Sequence, residues 1–156
     1  MKLVSAEFNK EAGVSTVVLQ NKNGRYVGKA KLAPEDADVA SEFAGCRIAE
    51  QRAWINYYKT EIRRAKIKLK AIDELWADMH VNATPWKYFD PPKLHFMDII
   101  KIDAEYYDRV FKMRKRYEDY IKEMETCIEI LQNTIKLDIK DRDKVVKLFK
   151  KNEGDT

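Results

Sequence analysis

The strongest constraint on this chain is a long helical repeat of apolar residues in its first half. From Ile55 onward, apolar side chains recur at alternating steps of three and four residues: Ile55, Tyr58, Ile62, Ala65, Leu69, Ile72, Trp76 and Met79. This spacing is typical of a helix that packs lengthwise on another helix. No proline interrupts residues 39–79, and a helix of that length spans about 60 Å. A single compact core cannot enclose such a helix, so the sequence predicts a second long helix beside it.

The second half of the chain carries a matching repeat over residues 99–139. Its clearest members again fall at steps of three and four: Tyr117, Ile121, Met124, Ile128, Leu131 and Ile135. The repeat continues toward the N-terminus with polar interruptions: Val110, Tyr107 and Ile100, with Arg114 and Asp103 between them. One connector, residues 81–98, joins this helix to the first, residues 38–80, so we expect an antiparallel, coiled-coil-like hairpin. Residues 140–156 are predicted to form a short helix and a tail.

Residues 1–33 show the alternation of apolar and polar side chains that is expected of strands. The first strand is predicted to place Val4, Ala6 and Phe8 on one face. The pair Asn23-Gly24 is a strong signal for a hairpin turn. Three short strands bury only one face and need a cover, so the sequence predicts a three-stranded meander packed against the start of the first helix.

Two glycines are predicted to mark a close approach between this sheet and the first helix. Gly45 lies inside the predicted helix, where Gly costs about 1 kcal/mol relative to Ala. Such a cost is tolerated where a neighbouring group must come close. We expect Phe8 or Tyr26 of the sheet to be that neighbour, with Gly28 in the third strand providing a matching gap.

These patterns together predict an α+β protein in a single domain. Its parts are an N-terminal three-stranded antiparallel β-meander and a long antiparallel helical hairpin. A chain of 156 residues suffices for one domain, and 36% charged residues with only five Gly and four Pro are typical of long solvated helices. No apolar run approaches the ~20 residues of a membrane span, so we expect a soluble intracellular protein without membrane contact.

The sequence offers little for catalysis. It contains no Gly-rich phosphate loop, HExxH or CxxC pattern. His80 and His95 have no carboxylate or cysteine at ligand spacing, and Cys46 and Cys127 are predicted to be free thiols near buried positions. We therefore expect no enzyme activity, no cofactor and no metal.

Three surfaces are candidates for binding. The preferred one is the sheet–helix junction, where both charge signs meet on rigid elements: Asp36, Asp38, Glu42, Arg47, Glu50 and Arg52. The second is the aromatic connector: Trp86, Tyr88 and Phe89. The third is a basic helical stripe that suits a nucleic-acid backbone: Arg63, Arg64, Lys66, Lys70, Lys112, Lys115 and Arg116. Acidic neighbours of the stripe, such as Glu118 and Asp119, argue against the third.

The strand-to-helix link carries a distinctive pattern over about residues 24–58. Its members are Gly28-Lys29-Ala30-Lys31-Leu32, Pro34-Glu35-Asp36, Asp38, Ser41-Glu42, Gly45-Cys46, Ile48-Ala49-Glu50 and Arg52-Ala53. This pattern resembles small uncharacterised proteins of bacteriophages and prophages of low-GC Gram-positive bacteria. The same residues also have structural interpretations: the glycines permit close packing, Asp38 and Ser41 cap the helix, and Arg52 can reach back to Glu42 or Asp36.

The resemblance implies a phage accessory protein that works by binding. The expected function is a non-catalytic binder that engages or sequesters a host protein or other defence component in the host cytoplasm. It would act as an inhibitor of antiviral defence, anti-CRISPR-like or similar. Two alternatives stay open: a nucleic-acid-binding accessory protein and a structural oligomerisation module.

Because Trp54, Tyr57 and Ile67 lie off the main seam, one partner helix cannot cover them, and a homo-oligomer is expected.

Overall fold

The computed structural model describes residues 1–31, 42–82 and 96–153 of the chain. Three strands come first: β1 (Lys2–Asn9), β2 (Val14–Asn21) and β3 (Gly24–Lys31). Two long helices follow: α1 (Glu42–Asn82) and α2 (Phe96–Glu153). The strands form one antiparallel sheet in the order β1-β2-β3. The predicted α+β class, with a three-stranded meander before two long helices, is confirmed.

Asparagine side chains stabilise both turns of the meander. The Asn9 carboxamide oxygen accepts a hydrogen bond from the Ala12 backbone N–H at 2.9 Å, and Gly13 supplies a positive φ of 60°. In the second turn, the Asn21 side chain accepts from the Asn23 N–H at 2.8 Å. These local bonds satisfy backbone donors within the turns and so help to set the strand register.

One face of the sheet is buried. It consists of alternate residues of β2 and their direct partners on β3: Ser15, Val17 and Leu19 with Ala30, Gly28 and Tyr26. Leu19 and Val17 are 2% and 1% exposed, which makes this face the floor of the hydrophobic core. The period of two follows from the pleat of a strand, which turns successive side chains to opposite faces.

A bulge interrupts the regular pairing of β1 with β2. The register shifts between Leu3 and Ser5, so Val4 is an extra residue in the strand. Leu3, Ala6 and Phe8 pair with the β2 residues of the buried face. Ala6 and Phe8 thus share a face as predicted, whereas Val4, which was predicted to join them, is the extra residue of the bulge and is 47% exposed.

The described chain divides into two compact units. The sheet unit comprises Met1–Thr60 and Met124–Thr156, and the helical unit comprises Glu61–Glu123. Both helices contribute to each unit, since α1 and α2 run through the two boundaries.

In the sheet unit, α1 lies against the buried face of the sheet with almost no space between the two backbones. A Cβ built on Gly28 would overlap the carbonyl oxygen of Ala49 and the backbone nitrogen of Ala53. Ala49 and Ala53 are themselves 0% exposed. The predicted gap at Gly28 is confirmed, and the small residues of α1 are its counterpart.

Gly45 makes a second close approach, but to a different neighbour from the one predicted. A Cβ at Gly45 would collide with the hydroxyl oxygen of Ser15. Phe8 and Tyr26, the predicted neighbours, do not lie within contact distance of that position. The reason is register: Ser15 belongs to the buried face of the central strand, and it is 1% exposed.

An aromatic cluster extends the contact between α1 and the sheet. The Tyr26 and Tyr57 rings meet edge to face with centroids 5.2 Å apart, and Trp54 contacts both Tyr57 and Tyr58 at 5.9 Å. Trp54 and Tyr57 are half-buried and pack on the core. The surplus surface predicted at these two residues is thus covered within the sheet unit, whereas Ile67 of the helical unit is 65% exposed.

A stretch of α2 between residues 128 and 139 completes the core of the sheet unit. Its apolar side chains in contact with the core follow helical spacing: Ile128, Leu131, Ile135 and Ile139. Asp138, next to them, accepts a hydrogen bond from the Gln51 side chain at 2.8 Å and pairs with Arg47 at 3.3 Å. Both partners lie on α1, so one carboxylate links the two helices at the rim of the core.

The helical unit is an antiparallel pair of helix segments. Moving forward along α1 corresponds to moving backward along α2: Glu61 meets Tyr120, Lys68 meets Tyr117, and Asp73 meets Arg114. The apolar seam between them is buried at Ile62, Ala65, Ile72, Val110 and Ile121. This direction of packing is the one predicted for a helical hairpin.

Arg114, a polar interruption of the predicted seam, bridges the two helices. Its Nε donates to Asp73 at 2.7 Å, and its Nη1 pairs with Glu118 at 2.9 Å. The hydrogen bond to Asp73 and the negative charges of Glu118 and Asp73 raise the pKa of Arg114 above its ordinary value. Because the Arg114 pKa is raised on folding, its ion pairs stabilise the folded state fully below the ordinary pKa of arginine. That stabilisation is lost only as the pH rises through the raised pKa. Arg114 is therefore charged throughout the neutral range and adds no pH dependence there.

The end of α2 differs from the sequence prediction. The helix continues to Glu153 without a break, so residues 140–153 are not a separate short helix. No Gly or Pro occurs between Pro92 and Gly154 to end it, and Lys144 pairs with Asp141 at 3.1 Å across one turn. Neither described helix has an apolar stretch long enough to cross a membrane.

Candidate functional site

The free edge of β3 is held by two side chains from α1. Arg52 Nη1 donates to the Lys29 carbonyl at 2.7 Å, and Asn56 Nδ2 donates to the Val27 carbonyl at 2.8 Å. Four residues along a helix rise about 6 Å, close to the ~6.6 Å between alternate residues of a strand. The two donors therefore match two successive outward carbonyls, which fixes α1 along the strand.

A groove opens beside this edge, within the sheet unit. It has a volume of about 820 Å³ and is bounded by β3, α1 and α2. Its lining residues are Val27, Lys29, Arg52, Ile55, Asn56, Lys59, Gln132, Ile135 and Lys136. We call this site the basic groove.

The floor and the rim of the basic groove differ in chemistry. Ile55 and Ile135 are 7% and 9% exposed and supply an apolar floor. Four lining residues are cationic and come from three elements: Lys29, Arg52, Lys59 and Lys136. Lys29 alternates with Gly28 and Ala30 of the buried face, so its side chain lies on the opposite face of the sheet. Asn56 and Gln132 add two carboxamides. No carboxylate is among the described lining residues, so the groove is electropositive.

The lysines of the groove lack acidic partners. Within residues 1–31, 42–82 and 96–153, neither Lys29, Lys59 nor Lys136 forms an ion pair. Elsewhere on the helices such pairs are common, as with Lys70 and Glu74. Cations that line one groove without counter-charges produce a positive electrostatic potential that attracts anions. The arrangement is therefore suited to holding an anionic group above an apolar surface.

The structure separates the predicted junction residues. Arg47 pairs with Asp138 on α2, whereas Arg52 donates to β3 and lines the basic groove. The predicted contact of Arg52 with Glu42 is wrong, because the strand carbonyl takes its guanidinium. Glu42 and Glu50 are exposed. The remaining members, Asp36 and Asp38, lie outside the described residues.

The aromatic connector also lies outside the described residues. This applies to all three of its predicted contact side chains: Trp86, Tyr88 and Phe89. The connector as a second binding surface stays a prediction.

The basic stripe is partly neutralised by neighbours on the same helices. Three of its members pair with acidic side chains: Arg64 with Glu61 at 2.6 Å, Lys70 with Glu74 at 3.7 Å, and Lys112 with Asp108 at 2.6 Å. Arg63, Lys115 and Arg116 are exposed, and Lys66 is exposed and has an interaction partner of its own. Ion pairs within a helix compete with phosphate contacts, so they weigh against a nucleic-acid interface at the stripe.

The sequence predictions missed most of the basic groove. Only Arg52 belongs to both the predicted junction and the groove. A signal existed on α1, since Arg52, Asn56 and Lys59 follow at steps of four and three and so share one helix face. Gln132 and Lys136 share a face of α2 in the same way. What the pattern could not supply is the helix register that brings these two faces together.

Other site classes have less support in the described chain. Among the residues searched there, no group of three or more His, Cys, Asp or Glu side chains could hold a metal ion. Cys46 and Cys127 are free and half-buried. No protein-family model, curated protein or solved structure matches the chain.

Proposed function

We propose that this protein is a non-catalytic binding protein that engages or sequesters a host component through the basic groove. The observation that carries the proposal is that Lys59 and Lys136 line one groove beside the buried side chains of Ile55 and Ile135 and have no acidic partners in the described chain. Cations without counter-charges repel one another, and this repulsion has a cost in free energy for the unbound protein. That cost is offset when an anionic partner binds.

The site lies on elements that hold their geometry. Arg52 and Asn56 lock α1 to the strand edge, and Gly28 brings the two backbones into contact. A site built on a sheet and helices in this way needs little reordering when a partner binds. Rigid presentation of charge is a feature of binding proteins that act by occupying a target.

The biological setting of the proposal is counter-defence in a phage-infected bacterium. It rests on the resemblance of residues 24–58 to phage accessory proteins. The same range of this chain contains the groove residues Lys29, Arg52 and Asn56. In this setting the host component belongs to antiviral defence, and the protein acts in the host cytoplasm as its inhibitor.

The test is affinity capture from a bacterial host lysate, with mass spectrometry of both proteins and small molecules. Wild-type protein is compared with a groove variant, Lys59→Gln with Lys136→Gln, and with Trp86→Ala, which alters the connector. The expected result is one host component recovered with the wild type and Trp86→Ala but lost with the groove variant. Equal recovery by all three, or turnover of the component into a product, would overturn the proposal.

A second candidate function is self-association. Ile130 and Leu137 of α2 are 59% and 61% exposed and lie seven residues apart, which places them on one face of the helix. Exposed apolar side chains at this spacing favour packing against another helix. The proposed state is a homo-oligomer in which α2 supplies the contact.

A further inference from the structure

We infer that the basic groove is a binding site for a nucleotide, with the phosphates held by its lysines and the nucleoside resting on its apolar floor. This inference rests on the proposed binding function and names the chemical class of the ligand. It is carried by three properties of the groove: its charge, its floor and its shape.

The charge of the groove matches a polyphosphate. Lys59 of α1 and Lys136 of α2 line the groove with their ammonium side chains, and Arg52 adds a guanidinium. A phosphate chain carries several oxygens that accept charge-assisted hydrogen bonds from such donors at once. Because the described lining contains no carboxylate, nothing in it repels the phosphates or competes for the lysines.

The floor and the carboxamides match a nucleoside. Ile55 and Ile135 form the apolar floor against which a planar base can lie. The Asn56 side chain donates to the Val27 carbonyl, which fixes its orientation and leaves its oxygen as an acceptor. Gln132 offers both a donor and an acceptor. A purely inorganic anion would use neither the floor nor these amides.

The shape of the groove favours a small ligand over a nucleic-acid strand or an acidic peptide. Its volume of about 820 Å³ lies within the ~300–1,000 Å³ of small-molecule sites. Arg52, Lys59 and Lys136 come from two different helices, whereas a polymer backbone is best followed by charges in a line. A compact ligand with clustered negative charge satisfies all of them together.

The inference is tested by calorimetric titration of the full chain with ATP, GTP, CTP and UTP. Adenosine, inorganic tripolyphosphate and an oligo-glutamate peptide serve as comparison probes. The variant Lys59→Gln with Lys136→Gln removes two groove cations, and Lys10→Gln with Lys22→Gln removes two exposed cations from the turns of the sheet. Circular dichroism confirms that both variants are folded before they are compared.

At least one nucleoside triphosphate is expected to bind more tightly than adenosine or tripolyphosphate. The groove variant should bind it about tenfold more weakly, since two charge contacts made by exposed lysines are lost, and the turn variant should bind as the wild type does. The inference is overturned if no triphosphate binds, if tripolyphosphate or the peptide binds as tightly, or if the groove variant is unaffected. If nucleotides fail while lysate capture still depends on Lys59 and Lys136, only the inference falls. If capture fails while a nucleotide binds the groove, only the host-component proposal falls.

Discussion

Tyr26 carries a buried hydroxyl for which the described structure offers no hydrogen-bond partner. Its ring packs edge to face on Tyr57. An unpaired buried hydroxyl has lost its bonds to water without replacement. Tyr26→Phe removes that hydroxyl and keeps the ring, so we expect unfolding stability to stay the same or rise by up to about 1 kcal/mol.

The matched variant for this prediction is Tyr26→Leu, which loses both the hydroxyl and the aromatic contact. It should lower stability by about 1–3 kcal/mol. Urea denaturation of the three proteins measures both effects. A Phe variant as unstable as the Leu variant would mean that the hydroxyl has a partner that matters.

Gly45 and Ser15 provide a second prediction at this scale, because the clash between them involves a single oxygen atom. Gly45→Ala should destabilise the protein, since the new methyl group collides with the Ser15 hydroxyl. Ser15→Ala removes that oxygen, and the remaining Cβ distance is 3.3 Å, which a small shift accommodates. In the Ser15→Ala background, Gly45→Ala should therefore cost less, or stabilise by up to about 1 kcal/mol through its better helix propensity.

A double-mutant cycle by urea denaturation measures this coupling. We expect a coupling free energy of at least about 0.5 kcal/mol in favour of the double variant. Additive effects of the two substitutions would show that Ser15 does not limit the space at Gly45.

At the scale of elements, the continuity of α2 is testable at Lys140, where the sequence predicted the start of a new segment. A proline there removes a helical hydrogen bond and clashes with the preceding turn. Because Ile139 packs on the core of the sheet unit, Lys140→Pro should cost about 3 kcal/mol or more. Lys140→Gly, the matched control, should cost about 1 kcal/mol.

Chemical denaturation followed by far-ultraviolet circular dichroism gives both values. A proline variant no less stable than the glycine variant would indicate that the helix is interrupted near residue 140.

The elements themselves were largely predictable, because periodicity decides them. The steps from Ile55 to Ile72 and from Tyr117 to Ile135 defined both helices and their buried faces, and Asn23-Gly24 defined a hairpin. The bulge at Val4 was not predictable in this way, since it depends on pairing with β2. The basic groove was missed for a related reason: it needs side chains from α1 and α2 beside the edge of β3, and no local sequence pattern gives the register of these three elements.

At the scale of the whole molecule, the proposed homo-oligomer makes a prediction about mass in solution. Light scattering at micromolar concentration should give a dimer or a larger assembly, since Ile130 and Leu137 leave an apolar face on α2. Ile130→Lys with Leu137→Lys should shift the mass toward the monomer, because burying two added charges in an interface is costly.

Glu129→Lys, at an exposed neighbouring position, controls for the added positive charge on α2 and should leave the mass unchanged. A wild-type protein that is monomeric at micromolar concentration would contradict the proposed assembly.

The central claim is that the host component binds the basic groove of the sheet unit rather than the basic stripe. The most direct measurement compares two charge reversals of equal size in lysate capture: Lys59→Glu with Lys136→Glu, and Arg63→Glu with Lys115→Glu. All four positions are exposed, so both variants should fold. We expect about tenfold or greater loss of the captured component with the groove variant and full recovery with the stripe variant. Full recovery with the groove variant, together with loss in the stripe variant, would contradict it.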